Sequence, residues 1–215
     1  APENLDLKQR IFADLDAVAP EDALLATNTS SLSITEIASV IDRPEQVVGM
    51  HFFNPPVKMN LVEVIRGSET TTESVNRAID FVESIEKTPI EVQKDVFGFV
   101  VNNILHAFLD EPAWMVSRDE ATIKGADAAL THQRGYPMGS FELADLTGLD
   151  VIAEVRDAGN IPIAPVTQER VDTGDYGQKT DRGYYDYSEG GGVNYDSVEG
   201  LGFDTLHVEA CMANQ

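Results

Sequence analysis

In the stretch GMHFFNPPVKMNLVEVI (residues 49–65), His51 and Glu63 lie twelve positions apart, each among apolar neighbours. An imidazole is the usual side chain for moving a proton near neutral pH. Glu63 stands between Val62 and Val64, with Leu61 and Ile65 beyond them, so it belongs to the wall of a core or a cleft. A buried carboxylate costs free energy unless it is paired. A histidine on the neighbouring strand is the simplest partner. The carboxylate would then hold the imidazole in one tautomer, as a general base requires. The plainer alternatives are a packed histidine with no chemistry and an edge-strand glutamate facing solvent.

Two further groups of polar residues fall where a site could use them. TNTSSLSI (residues 27–34) follows the apolar run DALLAT, and ligands of open α/β sheets sit beyond the carboxyl ends of strands. Asn28 and Ser30 are placed there, although a plain polar turn with a helix cap explains the same residues. FGFVVNN (residues 97–103) puts Asn102 and Asn103 about a turn inside a helix, where asparagine is a mediocre former. Asn102 is expected to face the cleft and Asn103 to be an exposed helix residue.

The elements that must position these residues follow from periodicity. Leu7, Ile11, Leu15 and Val18 recur at helical spacing, and DALLAT (22–27), QVVGMHFF, LVEVI and PIEV (89–92) are strand-like. SITE (33–36) and TTTE (70–73) have the form of capping boxes. Val75, Ile79, Val82 and Ile85 line one face of the helix that follows the second. Strands alternating with helices indicate an open α/β sheet. From Gly98 the strand signal fades, and GFVVNNILHAFLDEPAWMV, DEATIKGADAAL, SFELADLTGLDVIAEV and PVTQERVDTG read as helices, with Pro112 expected to kink the first. The expected organisation is an α/β part over residues 1–94 and a helical part over 95–187. Beyond it, a SEGGG linker and the start of a further segment occupy 188–215.

Composition narrows the function. The 215 residues are 42% hydrophobic, enough for a real core, and carry a formal net charge of −22, with only six lysines. That charge argues against nucleic acid and anionic membranes as partners, and its dispersal along the chain suits a salt-rich cytoplasm. No apolar run is long enough to cross a bilayer, and no basic-then-apolar leader opens the chain. A single cysteine, Cys211, fits a reducing interior, so a cytoplasmic location is expected. The chain starts at Ala1 without methionine and ends VEACMANQ, which reads as a fragment of a longer protein.

Together, ATNTSSLSITEIA, GMHFFNPPVKMNLVEVI, GFVVNN and GYPMGSFELADLTGLD closely resemble, in order and spacing, the L-3-hydroxyacyl-CoA dehydrogenase family of fatty-acid β-oxidation. The resemblance covers residues 1–187. It implies the C-terminal part of a Rossmann-like NAD-binding domain followed by the family's helical domain. It implies His51 as the base that removes the 3-hydroxyl proton while hydride leaves C3 for NAD, with Glu63 as its carboxylate partner. Ser30 and Asn102 match residues that hold the substrate oxygen and neighbouring groups. Asn54 matches a residue near both nicotinamide and substrate, and Glu3, Lys8, Asn28 and Ser30 match positions around the nicotinamide half of the cofactor.

There are departures. The family's opening strand and G-x-G-x-x-G turn do not occur in this sequence, so the isolated polypeptide is expected to lack most of the NAD affinity and to be poorly folded or inactive, the parent protein active. Phe97 and Ser140 stand where the family commonly has proline, and Asn103 where it has arginine. The resemblance further implies an acyl-CoA thioester substrate and a homodimer through the helical domain. GFDTLHVEACMANQ resembles the opening of a second helical repeat, as in larger members fused to an enoyl-CoA hydratase. The competing readings are a related hydroxy-acid dehydrogenase and a non-catalytic dimerisation or packing segment of a multifunctional protein.

Overall fold

In the computed structural model, which describes residues 1–188 and Val193, the chain divides into two units, Ala1–Asn102 and the part from Asn103 onward. The expected linker and second repeat over 188–215 lie almost wholly outside the described residues.

The first unit opens with α1, Leu5–Val18, started by Asn4, whose Oδ1 accepts the N–H of Leu7 at 2.8 Å. β1 (Leu25–Thr27), α2 (Ile34–Ala38), β2 (Val47–Phe52), β3 (Leu61–Arg66), α3 (Thr72–Ser84) and β4 (Thr88–Val92) follow. The strands form one sheet in the order β1-β2-β3-β4. β1 and β2 run parallel, as do β3 and β4, whereas β2 and β3 are antiparallel. β2 and β3 are central, and each is apolar at almost every position because both faces are covered. Alternation of side chains splits the core in two. Val47 and Ile65 pack with Phe12, Ile34, Ile37 and Phe99 on one face, and Val48, Met50, Val62 and Val64 pack with Val75, Ala78 and Val82 on the other. His51 and Glu63 have the parity of Val47 and Ile65 and so share the first face.

Two local expectations need correction. The Ser33 cap of α2 holds, its Oγ accepting the N–H of Glu36 at 3.2 Å. The cap of α3, however, is Thr71, which accepts from Ser74, and not Thr70. The Thr70 hydroxyl is taken by Val47 O at 2.6 Å and by the N–H of Gly67 at 2.9 Å, so it ties the β3–α3 turn to β2. Of the expected apolar face of α3, Val75 and Val82 are buried, but Ile85 is 40% exposed because it caps the helix end.

From Asn103 the chain is helical: α4 (Val101–Ser117), α5 (Ile123–Ala128) continuing as a π turn over Ala129–Gln133, α6 (Ser140–Thr147), α7 (Leu149–Ala158) and α8 (Pro165–Thr173). SFELADLTGLDVIAEV is thus two helices separated at Gly148. α4 continues on both sides of Pro112, which is buried. Asn103 is half-buried, not exposed. Phe108, Leu130, Phe141 and Leu149 form the centre of this unit's core.

Two buried aspartates organise the helical unit. Asp127 accepts the N–H groups of Phe141 and Glu142 at 2.9 and 3.0 Å, and so supplies the cap that α6 lacks in its own sequence. It also accepts from Ser140 Oγ and the Tyr185 hydroxyl. A Cβ on Gly139 would lie 2.2 Å from the Asp127 carboxyl carbon, which explains the glycine of GYPMG. Asp145 accepts the N–H groups of Tyr184 and Tyr185 and the Tyr187 hydroxyl, and so fixes the segment after α8. Among the described residues no helix is long and apolar enough to cross a membrane.

Candidate active site

β2 and β3 put His51 and Glu63 directly opposite each other in the antiparallel register. Nδ1 of His51 lies 2.7 Å from Oε2 of Glu63. His51 is 4% exposed and Glu63 is fully buried. The other carboxylate oxygen, Oε1, accepts the backbone N–H groups of Val100 and Val101, each at 2.9 Å. Two backbone donors occupy Oε1, so Oε2 is left to accept, and His51 must donate from Nδ1. The imidazole's free lone pair is therefore on Nε2, which has no hydrogen-bond partner among the described residues. Phe53 and Phe99 flank the imidazole, with ring centroids at 4.6 and 5.7 Å. A donor–acceptor pair of this kind can take a proton at Nε2 and compensate the charge that results.

The loop after β1 is tied to the same end of the sheet. Oδ1 of Asn28 accepts the N–H of Phe52 at 2.9 Å, which joins the loop to the residue after His51. The buried Thr29 hydroxyl donates to Glu3 Oε2 at 2.6 Å, and the N–H of Ser30 reaches Glu3 Oε1 at 3.4 Å. Glu3 also lies 3.5 Å from Lys8 Nζ, although Lys8 is only 7% exposed. Asn102 donates from Nδ2 to Ser30 O at 3.3 Å. Asp95 Oδ2 accepts from Ser33 Oγ at 2.6 Å and from the N–H of Thr35 at 2.8 Å, which fixes the far end of the loop.

The sequence-predicted residues thus fall into three groups. His51 and Glu63 are in contact, and Ser30 is tied to Asn102 and, through its backbone, to Glu3 and Lys8. Asn54 is exposed in the turn after β2 and makes no hydrogen bond among the described residues. Asn28 Nδ2 and Ser30 Oγ are likewise unspent, and both residues are exposed. Sequence reasoning did not find Phe53, Phe99 or the amides of Val100 and Val101. The available signal was Gly98 ahead of a helix start, since a glycine there permits the turn that aims those amides.

Comparison with known proteins bears on this geometry. Residues 1–96 match the family model of the 3-hydroxyacyl-CoA dehydrogenase NAD binding domain, and residues 98–187 match that of the 3-hydroxyacyl-CoA dehydrogenase C-terminal domain. The chain is 39% identical over 194 residues to a 3-hydroxybutyryl-CoA dehydrogenase of Clostridioides difficile, covering 87% of this chain and 69% of that one. It is 38% identical over 198 residues to the fatty acid oxidation complex subunit alpha of Idiomarina loihiensis, of which it covers 27%. Among solved structures, the 3-hydroxybutyryl-CoA dehydrogenase of Escherichia coli superimposes with a TM-score of 0.81 at 39% identity, over 90% of this chain and 43% of that one.

Proposed function

The chain belongs to the 3-hydroxyacyl-CoA dehydrogenase family, and from that premise we propose that it carries the proton-transfer machinery for NAD-dependent oxidation of (S)-3-hydroxyacyl-CoA to 3-oxoacyl-CoA. The observation that carries the proposal is the 2.7 Å contact between His51 Nδ1 and the fully buried Glu63, with Nε2 left unspent.

His51 Nε2 takes the proton of the 3-hydroxyl as the C3–O bond becomes a carbonyl. Glu63, fully buried, compensates the charge that forms on the imidazole. General-base catalysis of this kind contributes roughly 10²–10⁴-fold. The groups around the loop after β1 fit a polar cofactor: Asn28 Nδ2 and Ser30 Oγ are exposed and unspent. Lys8 pairs with Glu3, whose carboxylate also meets the Ser30 N–H. Glu3, Lys8, Asn28, Ser30 and Asn54 would hold the nicotinamide half of NAD, which when bound supplies the hydride acceptor. Ser30, Asn102 and Asn54 would also orient the substrate oxygen, the Asn102 side chain acting through its bond to Ser30 O.

The proposal extends to organisation. Residues 1–94 serve the cofactor and 95–187 the thioester and a homodimer, in fatty-acid β-oxidation in the cytoplasm. The match to a fatty acid oxidation complex subunit supports a fused or associated enoyl-CoA hydratase. The test is turnover of 3-hydroxybutyryl-CoA by the complete protein, set against free 3-hydroxybutyrate. Activity on the thioester that His51→Gln removes, with thioester binding retained, is the expected result. Equal activity on the free acid, or unchanged turnover in His51→Gln, overturns the reading.

A further inference from the structure

Glu63 is the buried end of the proposed dyad, and what holds it is main chain. The two amides on its Oε1 come from Val100 and Val101, where α4 begins. They are presented by two consecutive residues in the left-handed region, Gly98 at φ 74° and Phe99 at φ 54°. Glycine takes that conformation freely. A phenylalanine there is disfavoured, because its Cβ crowds the backbone, and persists only where its surroundings over-determine it. Here the surroundings are the core of the first unit: Phe99 is 2% exposed and packs in the cluster with Val47 and Ile65. Its ring also meets the His51 imidazole edge-on, at a centroid distance of 5.7 Å and an angle of 61°. One residue therefore touches the base through its ring and sets, through its backbone, the amides that grip the base's partner.

We propose that Gly98 and Phe99 form a positioning device for the His51–Glu63 pair. The left-handed turn aims two N–H groups at Glu63, and the Phe99 ring restricts rotation of the imidazole. Neither residue takes part in proton transfer. This rests on the reading of His51 as the base, and the experiment below separates the two.

In the complete protein, Phe99→Gly keeps the left-handed backbone and deletes the ring. Gly98→Ala keeps the ring and disfavours the turn. Phe99→Tyr keeps both. The readouts are kcat and KM for 3-hydroxybutyryl-CoA, the thermal midpoint, and the NMR signal of the His51 Nδ1 proton. Each of the first two variants is expected to lower kcat by about tenfold or more with KM within about twofold, since misplacement acts on the transition state. Each should also broaden or shift the Nδ1 proton signal, and Phe99→Tyr should restore both. Wild-type kcat and Nδ1 signal in folded Phe99→Gly and Gly98→Ala overturns the proposal, and so does a loss confined to the thermal midpoint. Should Phe99→Gly not fold, Phe99→Leu, of similar bulk, carries the same test. A dead His51→Gln beside fully active turn variants refutes the device and leaves the base standing. An active His51→Gln refutes the base itself.

Discussion

Replacing Glu63 by glutamine changes one atom and none of the volume, yet the structure leaves the new side chain no satisfactory orientation. Glu63 accepts three hydrogen bonds on two oxygens and is fully buried. Glutamine has one acceptor oxygen and one donor group. If the oxygen faces Val100 and Val101, the NH₂ group faces His51 Nδ1. The imidazole must then move its proton to Nε2, and the atom that should accept the substrate proton no longer can. If the oxygen faces His51, the NH₂ group confronts two backbone N–H donors, and buried donors without partners cost about 1–3 kcal/mol each. In both cases the negative charge that compensates a protonated imidazole is gone. Together these losses amount to roughly 3–5 kcal/mol of transition-state stabilisation, or about 10²–10⁴-fold in kcat. Initial rates of NADH formation, beside a thermal melt to establish folding, measure it. A folded Glu63→Gln protein whose kcat stays within about threefold of wild type would refute the reasoning, because the two orientations exhaust the possibilities.

Gly139→Ala should unfold the helical unit at lower denaturant, by roughly 2–3 kcal/mol, because the added Cβ meets an Asp127 carboxylate that four hydrogen bonds hold in place; an unchanged urea midpoint would count against it. Burial, with the Arg156 guanidinium beside it, pushes the His106 imidazole down to about 4. Between about 6.5 and 4 the unfolded chain therefore takes up a proton that the folded one does not, and stability falls as the pH drops through that window. After discounting for partial exposure the loss is on the order of 1–2 kcal/mol. Asp127, raised to about 6 by burial, acts in the opposite sense, so the His106 contribution is read as the difference in urea midpoint between wild type and His106→Leu across pH 7 to 4.5. With a formal net charge of −22, the thermal midpoint should rise when potassium chloride is raised from about 0.1 to 1 M, through screening of self-repulsion; a flat or falling midpoint would remove the salt-rich setting.

How much of the site could be seen in the sequence depended on the kind of atom involved. The pairing of His51 with Glu63 was legible because both residues interrupt apolar runs, and a buried carboxylate among valines asks for a partner. The loop between the two runs is short enough for a strand to return beside the first, and the register then does the rest. The second oxygen of Glu63 was not legible. Its partners are main-chain amides 37 and 38 residues away, and every residue but proline carries such a group. The same limit explains α6, whose cap is Asp127, an acid one helix earlier that sits between alanines. It explains Thr70 as well, whose hydroxyl was needed by a strand carbonyl and so was not free to cap α3. Short-range chemistry such as the Ser33 cap depends on neighbours three residues apart and survives folding unchanged. Long-range backbone acceptance depends on where the chain returns. The trace it leaves in sequence is the conformational exception that permits it, here a glycine and a phenylalanine in left-handed conformation just ahead of α4. A buried acid paired with a buried histidine is therefore best sought together with a glycine-led helix start elsewhere in the chain, since the N-terminus of a helix offers the donors that a second carboxylate oxygen needs.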